Sequence, residues 1–455
     1  MRITKKHIIW NYLGTIFNQG INIFILPIVL MKLSTTELGL WYVFGSIAAL
    51  VNLVDFGFSP TIMRNISYAY AGAEKLLSSG VATEYLIGKP NGRLIKDLII
   101  ASKRIYLGLS VVAGVMLASI GTLYIQSITD SSFQSYKLAW FLYAIAVFIN
   151  LYYSFWNPVL KGVGGIKEIN LALLISRIFY LFIAIVTLIA GYGLQGLSIA
   201  YLFSGFLMRF LAKHYFYKII SDNTKAIETT IDVRNILKII WPNAKKTGIV
   251  TIGSWLITRA TTLLCSSFLG LEQTAKFGLS LQVITFILSI STLMFNSYIP
   301  ELASLEVNSD KKRYNVILSR GVVIQWTVGL IGILGLTLFG SWFLGLLKSN
   351  STLLSTNILL LLSIILFLEH NHSTFATTIT LSNYVPFVKA SLLSGFSIVI
   401  LGYLVLRYTT LGLLGLIIVQ GLVQLSYNNW YWPYLVLKKN HLSPLKMFKL
   451  VLAIK

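Results

Sequence analysis

Long apolar segments separated by short polar ones run through this chain, and the first of them carries a regular set of polar side chains. These are Asn11, Thr15, Asn18 and Asn22, at spacings of four, three and four residues. In an α-helix such spacings place side chains on one stripe. A polar stripe on an otherwise apolar helix suits a bundle with a wet interior better than a helix surrounded by lipid.

Apolar segments long enough to cross a membrane recur to the end of the chain. A helix needs about 20 mostly apolar residues to cross about 30 Å of hydrocarbon. Twelve such segments are predicted, at 8–31, 38–62, 105–127, 138–160, 169–190, 194–212, 241–268, 276–300, 321–346, 353–381, 386–406 and 411–436. The pattern predicts an all-α polytopic membrane protein with twelve transmembrane helices.

The composition supports this class. The 455 residues are 56% hydrophobic and 11% charged, with a mean hydropathy of +0.76, whereas soluble proteins carry about a quarter charged residues. The single Cys265 excludes an internal disulfide and a cysteine-based zinc cluster. The apolar run after the basic segment 1–6 is too long for a signal peptide, so we interpret it as an uncleaved first span.

The positive charges are distributed unevenly between the two sides. With the N-terminus inside, 30 of the 37 Lys and Arg residues fall on the cytoplasmic side and five on the opposite side. This asymmetry predicts that both termini are cytoplasmic. It also accounts for the net charge of +22 as topogenic charge with attraction to anionic lipid headgroups. Because there is no basic soluble domain, we expect the phospholipid bilayer and no nucleic acid as a partner.

The connections between spans exclude several other classes of function. The longest inner ones, about 65–104 and 213–240, have the pattern of amphipathic surface helices. The sequence contains no Gly-x-x-x-x-Gly-Lys-Ser/Thr loop, so ATP does not drive transport through this chain. No outer segment is large enough for a glycosyl-transfer site. We therefore expect a secondary transporter rather than an enzyme, with no cofactor.

An internal repeat is visible in the order of short motifs. The stripe of the first span, which starts at Asn11, matches a stripe of the seventh span: Thr247, Thr251, Ser254 and Thr258. Pro60 matches Pro300, and Gly193-Leu194-Gln195-Gly196 matches Gly412-Leu413-Leu414-Gly415 at a separation of 219. These matches predict an N-terminal six-helix bundle at 1–213, a cytoplasmic amphipathic connection at 214–240 and a C-terminal six-helix bundle at 241–455. Doubled halves are typical of alternating access.

Asp55-Phe56-Gly57-Phe58, followed by Arg64, gives the most specific family signal. Together with the polar first span and the two parallel halves, this motif resembles the bacterial polysaccharide flippases. The likeness is greatest to the O-antigen repeat-unit translocases of the multidrug/oligosaccharidyl-lipid/polysaccharide exporter superfamily, over about residues 5–437. The resemblance implies two bundles around a central cavity in the bacterial inner membrane. It also implies transport of an undecaprenyl-diphosphate-linked oligosaccharide from the cytoplasmic to the periplasmic leaflet, with a glycan polymerase as a further expected partner.

Such a cargo requires a polar, cationic cavity, because a diphosphate cannot enter hydrocarbon unaided. Arginine offers planar, multi-donor recognition of phosphate oxygens. The candidates for binding the diphosphate or the sugar are Arg177, Arg259, Arg64, Asn18, Asn22, Thr251, Ser254 and Thr258. Two alternatives stay open: Arg64 is a positive-inside anchor or a partner of Asp55, and Arg177 is half of a structural pair with an acid such as Glu369.

The densest polar cluster within a predicted span is Glu369-His370-Asn371-His372. Since histidine changes its charge near neutral pH, this cluster is a candidate for proton coupling, and a structural polar contact is the alternative. Two ligands on one helix are too few to indicate a metal site, so none is predicted. Asp55 is the remaining candidate, as a gate residue or as a structural hydrogen-bond acceptor.

Two other functions compete with the flippase. A multidrug exporter of the same superfamily would favour an acidic or apolar cavity for cationic drugs, whereas the excess of Arg and Lys favours an anionic cargo. A membrane glycan polymerase or ligase would need large outer loops with catalytic acids or bases, which the sequence lacks.

Overall fold

The computed structural model describes residues 23–55, 57–76, 90–220, 233–307, 310–381 and 386–452. Every regular element in these residues is a helix, so the predicted all-α class is confirmed. The chain packs as two compact units. One consists of Met1–Tyr42 with Leu256–Lys455 and the other of Val43–Trp255. The proposed bundle boundaries at 213 and 241 remain predictions.

The helices of the first part of the chain are α1 (Leu26–Lys32), α2 (Thr35–Asn52), α3 (Phe58–Tyr70), α4 (Gly92–Met116), α5 (Thr122–Thr129), α6 (Phe133–Tyr152), α7 (Trp156–Gly162), α8 (Ile166–Ile189) and α9 (Gly193–Ile219). Short 3-10 turns follow α2, α5 and α6, and a π-helical turn, Leu117–Gly121, joins α4 to α5.

The helices of the second part are α10 (Val233–Thr258), α11 (Ala260–Ser291), α12 (Leu293–Val307), α13 (Lys311–Leu346), α14 (Thr356–Thr380), α15 (Val388–Tyr408), α16 (Gly412–Ser426), α17 (Asn428–Lys439) and α18 (Pro444–Leu452). Nine stretches of the described residues are long and apolar enough to cross a membrane. The chain is a multipass membrane protein.

The predicted span 38–62 is not one continuous helix. It divides into α2, the 3-10 turn Leu53–Asp55 and α3, with Gly57 at a φ of 76° before α3. This left-handed conformation strains any residue with a Cβ atom but not glycine. The break ends the long helix directly after Asp55 and thereby places this acid at a helix terminus.

Two helices begin well before the apolar segments that predicted them. α4 begins at Gly92, where the Asn91 side chain accepts the Leu94 N–H at 3.0 Å. α13 begins at Lys311, where Asp310 accepts the Arg313 N–H at 3.1 Å. These are helix N-caps. The expectation of a separate surface helix up to residue 104 is therefore wrong for 92–104, because the cap starts one helix that continues into the membrane.

The repeat is visible in the helix boundaries themselves. The starts of α4 and α13, the ends of α8 and α15, and the starts of α9 and α16 all share the separation of the matched glycine motifs. The glycines that start α9 and α16 share a left-handed backbone, with φ of 48° at Gly193 and 53° at Gly412. Each of these pairs of corresponding helices therefore shares one boundary, at the separation that the motifs predicted.

Small residues let the helices approach closely. A Cβ atom on Gly39 would lie 2.2 Å from the Leu271 carbonyl oxygen, and one on Gly278 would lie 2.4 Å from the Tyr42 ring. The Tyr42 hydroxyl donates to Gln282 Oε1 at 2.7 Å. Close backbone approach with interhelical hydrogen bonds is the usual way to hold membrane helices together, since lipid provides little hydrophobic driving force.

Candidate functional site

The break after α2 presents the Asp55 carboxylate to α4. The buried Tyr106 hydroxyl donates to Asp55 Oδ1, and the Ser59 N–H donates to Oδ2 at 3.4 Å. Asp55 is therefore held by a hydroxyl and a backbone N–H of its own unit. It is not paired with Arg64, which is exposed on α3 and has no ion pair among the described residues. The alternative that Arg64 is a partner of Asp55 is therefore wrong.

From the sequence, Arg209 on α9 is one of the positive charges assigned to the cytoplasmic side. In the structure, part of its side chain is buried, and the residue is only partly exposed. Its Nε atom is fully buried and has no hydrogen-bond partner in the described part of the chain. The guanidinium acts electrostatically on the hydroxyl groups of Tyr106 and Tyr201. A buried guanidinium nitrogen without an acceptor is costly.

Tyr201, also on α9, lies close enough to Arg177 and Arg209 for both to act electrostatically on its hydroxyl. The Asn150 side chain lies next to that hydroxyl. Asn150 Oδ1 is buried and has no hydrogen-bond partner among the described residues. Its ring stacks on Tyr143 at a centroid distance of 4.9 Å. Gly205 leaves room for Asn150, since a Cβ atom there would lie 1.9 Å from Asn150 Oδ1.

We call Asp55, Tyr106, Asn150, Arg177, Tyr201 and Arg209 the first polar cluster. Its only carboxylate is already bound by Tyr106, and within the described residues no acid of this unit forms an ion pair with either arginine. A pair between Arg177 and Glu369 would join the two units, so that alternative stays a prediction. Two partly buried cations beside tyrosine hydroxyls leave this cluster with unused donors, which favour an anionic ligand.

The predicted stripe on α10 is partly described. Thr251, Ser254 and Thr258 are not buried, and the Thr251 hydroxyl donates to the Gly248 carbonyl at 2.7 Å. Arg259 is exposed at the interruption between α10 and α11, where it precedes the first residue of α11. Asn18 and Asn22 lie outside the described residues. The predicted wall that combines these two stripes therefore stays a prediction.

A second polar cluster surrounds Glu369, on α14. Glu369 Oε1 accepts from Gln420 Nε2 of α16 at 2.9 Å. His372 Nδ1 lies 2.7 Å from Asn429 Oδ1 of α17. These two contacts join α14 to the helices of the last predicted span. His370 is half-buried on the same helix. Among the described residues no group of three or more His, Cys, Asp or Glu side chains is arranged to hold a metal.

The two clusters occupy equivalent positions in the repeat. The separation that relates Gly193 to Gly412 also relates Asn150 to Glu369, and it relates their partners Tyr201 and Gln420. In each part the contact joins the helix of the fourth predicted span of that half to the helix of the sixth. The same junction is therefore neutral in the first half and carries a carboxyl group in the second.

No protein-family model matches the chain, and no curated protein sequence does either. Solved structures do match. An inward closed form of the lipid II flippase MurJ aligns with 98% of this chain and 90% of its own, at a TM-score of 0.64 and 13% identity. An outward-facing multidrug resistance MATE transporter aligns over 99% and 97%, at a TM-score of 0.58 and 15% identity. The chain therefore shares the fold of these two proteins.

The likeness to MurJ and the MATE transporters confirms the predicted fold class, an all-α architecture with twelve helices in two repeats. The structural similarity extends over nearly the full length of both chains. An inward-facing MATE transporter is similar as well, at a TM-score of 0.57 over 97% of this chain. The proteins that share the fold are transporters and flippases. At this level of identity the likeness concerns the fold, and the cargo must be argued from the side chains.

Sequence reasoning missed Arg209, Tyr201 and Gln420. Part of the signal was available, because the separation of 219 applied to Glu369 gives Asn150 and makes Tyr201 and Gln420 equivalent positions. Arg209 was missed because it lies near the inner end of an apolar segment. There, the sequence does not distinguish a cation that faces the bundle from one that faces lipid headgroups.

Proposed function

We propose that this protein is a flippase that moves an undecaprenyl-diphosphate-linked oligosaccharide, an O-antigen or similar repeat unit, from the cytoplasmic to the periplasmic leaflet by alternating access. The observation that carries the proposal is the first polar cluster, in which Arg177 and Arg209 approach Tyr201 and form no ion pair with a described acid of their unit. The lipid II flippase MurJ shares the fold, which supports a lipid-linked cargo.

The chemistry of the cluster fits a diphosphate. A guanidinium presents several N–H donors in one plane and matches two phosphate oxygens at once. Away from bulk water these charge-assisted hydrogen bonds are stronger. The Tyr201 hydroxyl lies beside the arginines and can donate to phosphate or sugar oxygens. Arg259, Arg64 and the hydroxyls of the α10 stripe are proposed as further contacts along the cargo's path.

The second polar cluster is proposed as the coupling element, together with Asp55. Glu369 is a half-buried acid whose acceptor oxygen is already placed by Gln420. His370 and His372 lie within one turn of it. A gain or loss of charge in this cluster would change the contacts between α14, α16 and α17 and so link an ion gradient to a change in helix packing. The excess of Lys and Arg on one side supports cytoplasmic termini and insertion in the bacterial inner membrane.

The test is reconstitution of the purified protein into vesicles with an undecaprenyl-diphosphate-linked oligosaccharide in one leaflet. The exposure of the labelled sugar on the other side is then measured. We expect flipping by the wild-type protein and its loss in Arg177→Gln with Arg209→Gln. Arg407→Gln, at the exposed end of α15, is the matched control and should flip normally. Normal flipping by the double variant at equal protein levels would contradict the proposal.

A multidrug exporter is the second candidate, and Glu369 is the observation that favours it, because a partly buried carboxyl group attracts cationic drugs. MATE multidrug transporters share the fold. Ethidium efflux from the same vesicles separates the two functions. Efflux that needs Glu369 but neither arginine, without flipping of the lipid-linked sugar, would replace the flippase with the exporter.

A further inference from the structure

The last described helix, α18, has two apolar faces, and only one of them is covered by described residues. It begins at a cap in which Ser443 Oγ accepts the Lys446 N–H at 3.2 Å. Met447 is fully buried in a core cluster that includes residues of α12, α13 and α17, and Leu450 and Val451 pack against this cluster. On another face Leu445 and Leu452 are 77% and 80% exposed, and Phe448 lies with them at spacings of three and four. Helical geometry makes these three a single stripe.

Two lysines lie along one side of the exposed stripe. Lys446 and Lys449 are both exposed and follow one another at a spacing of three residues, beside the Leu445–Phe448–Leu452 stripe. The nearby acids Glu301 and Glu306 are already paired, with Arg313 and Lys439 respectively. Positive charge is therefore in excess around the exposed apolar stripe.

The neighbouring helix gives the level of α18 relative to the membrane. On α13, exposed large apolar side chains begin at Val328 and recur as far as Leu346. At about 1.5 Å per residue this stretch covers about 27 Å, close to the thickness of the hydrocarbon layer. The Trp326 ring, two residues before this stretch, lies 5.9 Å from the Phe448 ring. Phe448 is therefore at the edge of the hydrocarbon layer, where headgroups begin.

We propose that α18 is an interfacial helix that inserts Leu445, Phe448 and Leu452 among the acyl chains and binds anionic phospholipid headgroups through Lys446 and Lys449. An apolar stripe bordered by lysines at the level of the headgroups is the pattern of helices that lie in the membrane surface. Lys446 already donates one N–H to the His441 carbonyl at 2.8 Å, which fixes its stem while two further donors remain. The proposal does not depend on the nature of the cargo.

The single buried Cys265 makes a direct test simple. In a Cys265→Ser background, Leu452→Cys is labelled with an environment-sensitive fluorophore in phosphatidylcholine vesicles with and without phosphatidylglycerol. Lys312→Cys, exposed in the first turn of α13, is the matched control. We expect lipid-borne quenchers to quench the label at 452 strongly, more so with phosphatidylglycerol, and aqueous iodide to quench the control.

Charge reversal completes the test. Lys446→Glu with Lys449→Glu should abolish the increase that phosphatidylglycerol causes at position 452, while the melting temperature stays within a few degrees because both lysines are exposed. Quenching of 452 by iodide as efficiently as the control would overturn the proposal. Protection from both quenchers would also overturn it, since protein, either a second copy or a partner, would then cover the stripe.

Discussion

The two polar junctions of this protein, Asn150–Tyr201 and Glu369–Gln420, hold equivalent helices together with different charges. Both contacts occupy matching positions of the repeat, yet the first is neutral and has two arginines nearby, whereas the second carries a carboxyl group and two histidines. The backbone of the repeat has therefore been kept while its side-chain chemistry has diverged. We infer that cargo binding and coupling are assigned to different halves.

The largest expected effect comes from removing both cations of the first cluster. Each arginine lost removes charge-assisted hydrogen bonds worth about 1.5–3 kcal/mol apiece. We therefore expect Arg177→Gln with Arg209→Gln to lower the initial flipping rate of a diphosphate-linked cargo by roughly 100-fold or more, measured in vesicles against wild type at equal density. An effect equal to that of Arg407→Gln would remove the arginines from the cargo site.

Making the first junction resemble the second is the next prediction. Asn150→Asp adds a negative charge near Arg209 and Tyr201. Two like charges about 10 Å apart repel by roughly 1.7 kcal/mol at an effective dielectric constant of about 20. Flipping of an anionic cargo should fall about tenfold as a result, with normal protein levels. Asn150→Ser shortens the side chain but keeps the junction neutral and is the control; equal losses in both variants would mean that packing, and not charge, is responsible.

Removing the charge of the second junction should affect coupling alone. In the wild type we expect an imposed pH gradient to accelerate flipping by about tenfold or less. Glu369→Gln retains an acceptor for Gln420 but cannot change its charge, so this acceleration should be lost in the variant. Glu306→Gln, in a surface ion pair with Lys439, controls for loss of an acid elsewhere. A gradient response that survives in Glu369→Gln would reject coupling through this cluster.

The residue four positions after Tyr201 in the first half, and after Gln420 in the second half, differs in size between the two halves. We expect this difference to affect stability. Gly205 corresponds to Gln424 in the second half. A Cβ atom at 205 collides with Asn150, so Gly205→Ala should destabilise the fold by about 1–3 kcal/mol, the usual cost of overpacking. Gln424→Ala only loses hydrogen bonding to Asn428 and should cost about 1 kcal/mol. Thermal unfolding in one detergent compares them, and equal melting temperatures would contradict the prediction.

The smallest effect should be the same in both halves. Gly193 and Gly412 start equivalent helices with nearly equal left-handed φ angles. Alanine at either position should cost about 1 kcal/mol, because its Cβ atom is strained there. Gly335→Ala, in open space on α13, is a control without such strain. Clearly unequal shifts in melting temperature at 193 and 412 would show that the two turns are not equivalent.

Periodicity and hydropathy predicted the helical class, the number of spans and the repeat, because these depend on the length and order of apolar segments. They did not predict the break at Gly57, which lies within the predicted span 38–62. Gly57 adopts a left-handed conformation, and a glycine within an apolar run is equally compatible with a straight helix. Gly270, which is also left-handed, lies between the predicted spans 241–268 and 276–300. The first cluster was only half predicted: Arg177 lies deep enough to attract attention, whereas Arg209 lies near a span end where positive charge is ordinary.

Contacts across helices also could not be derived from one sequence. The hydrogen bond between Tyr106 and Asp55 joins distant positions of the chain. Whether Asp55 contacts Arg64 or Tyr106 depends on the direction in which the chain leaves α2. The chain turns between α2 and α3 at the left-handed Gly57. The prediction of a gate or joint at Asp55 therefore remains open, while its partner is now known.

The N-cap at Asp310 has a consequence for biogenesis. It makes the stretch 311–327 of α13 part of a rigid rod that carries Lys311, Lys312, Arg313 and Arg320 ahead of the lipid-facing stretch. Moving a single Lys or Arg to the middle of a membrane helix costs about 2.5–3.5 kcal/mol on the insertion scale, so four would cost on the order of 10 kcal/mol. A continuous helix cannot fold back to keep these charges out of the hydrocarbon layer. We therefore expect this helix to keep its orientation once it has been inserted.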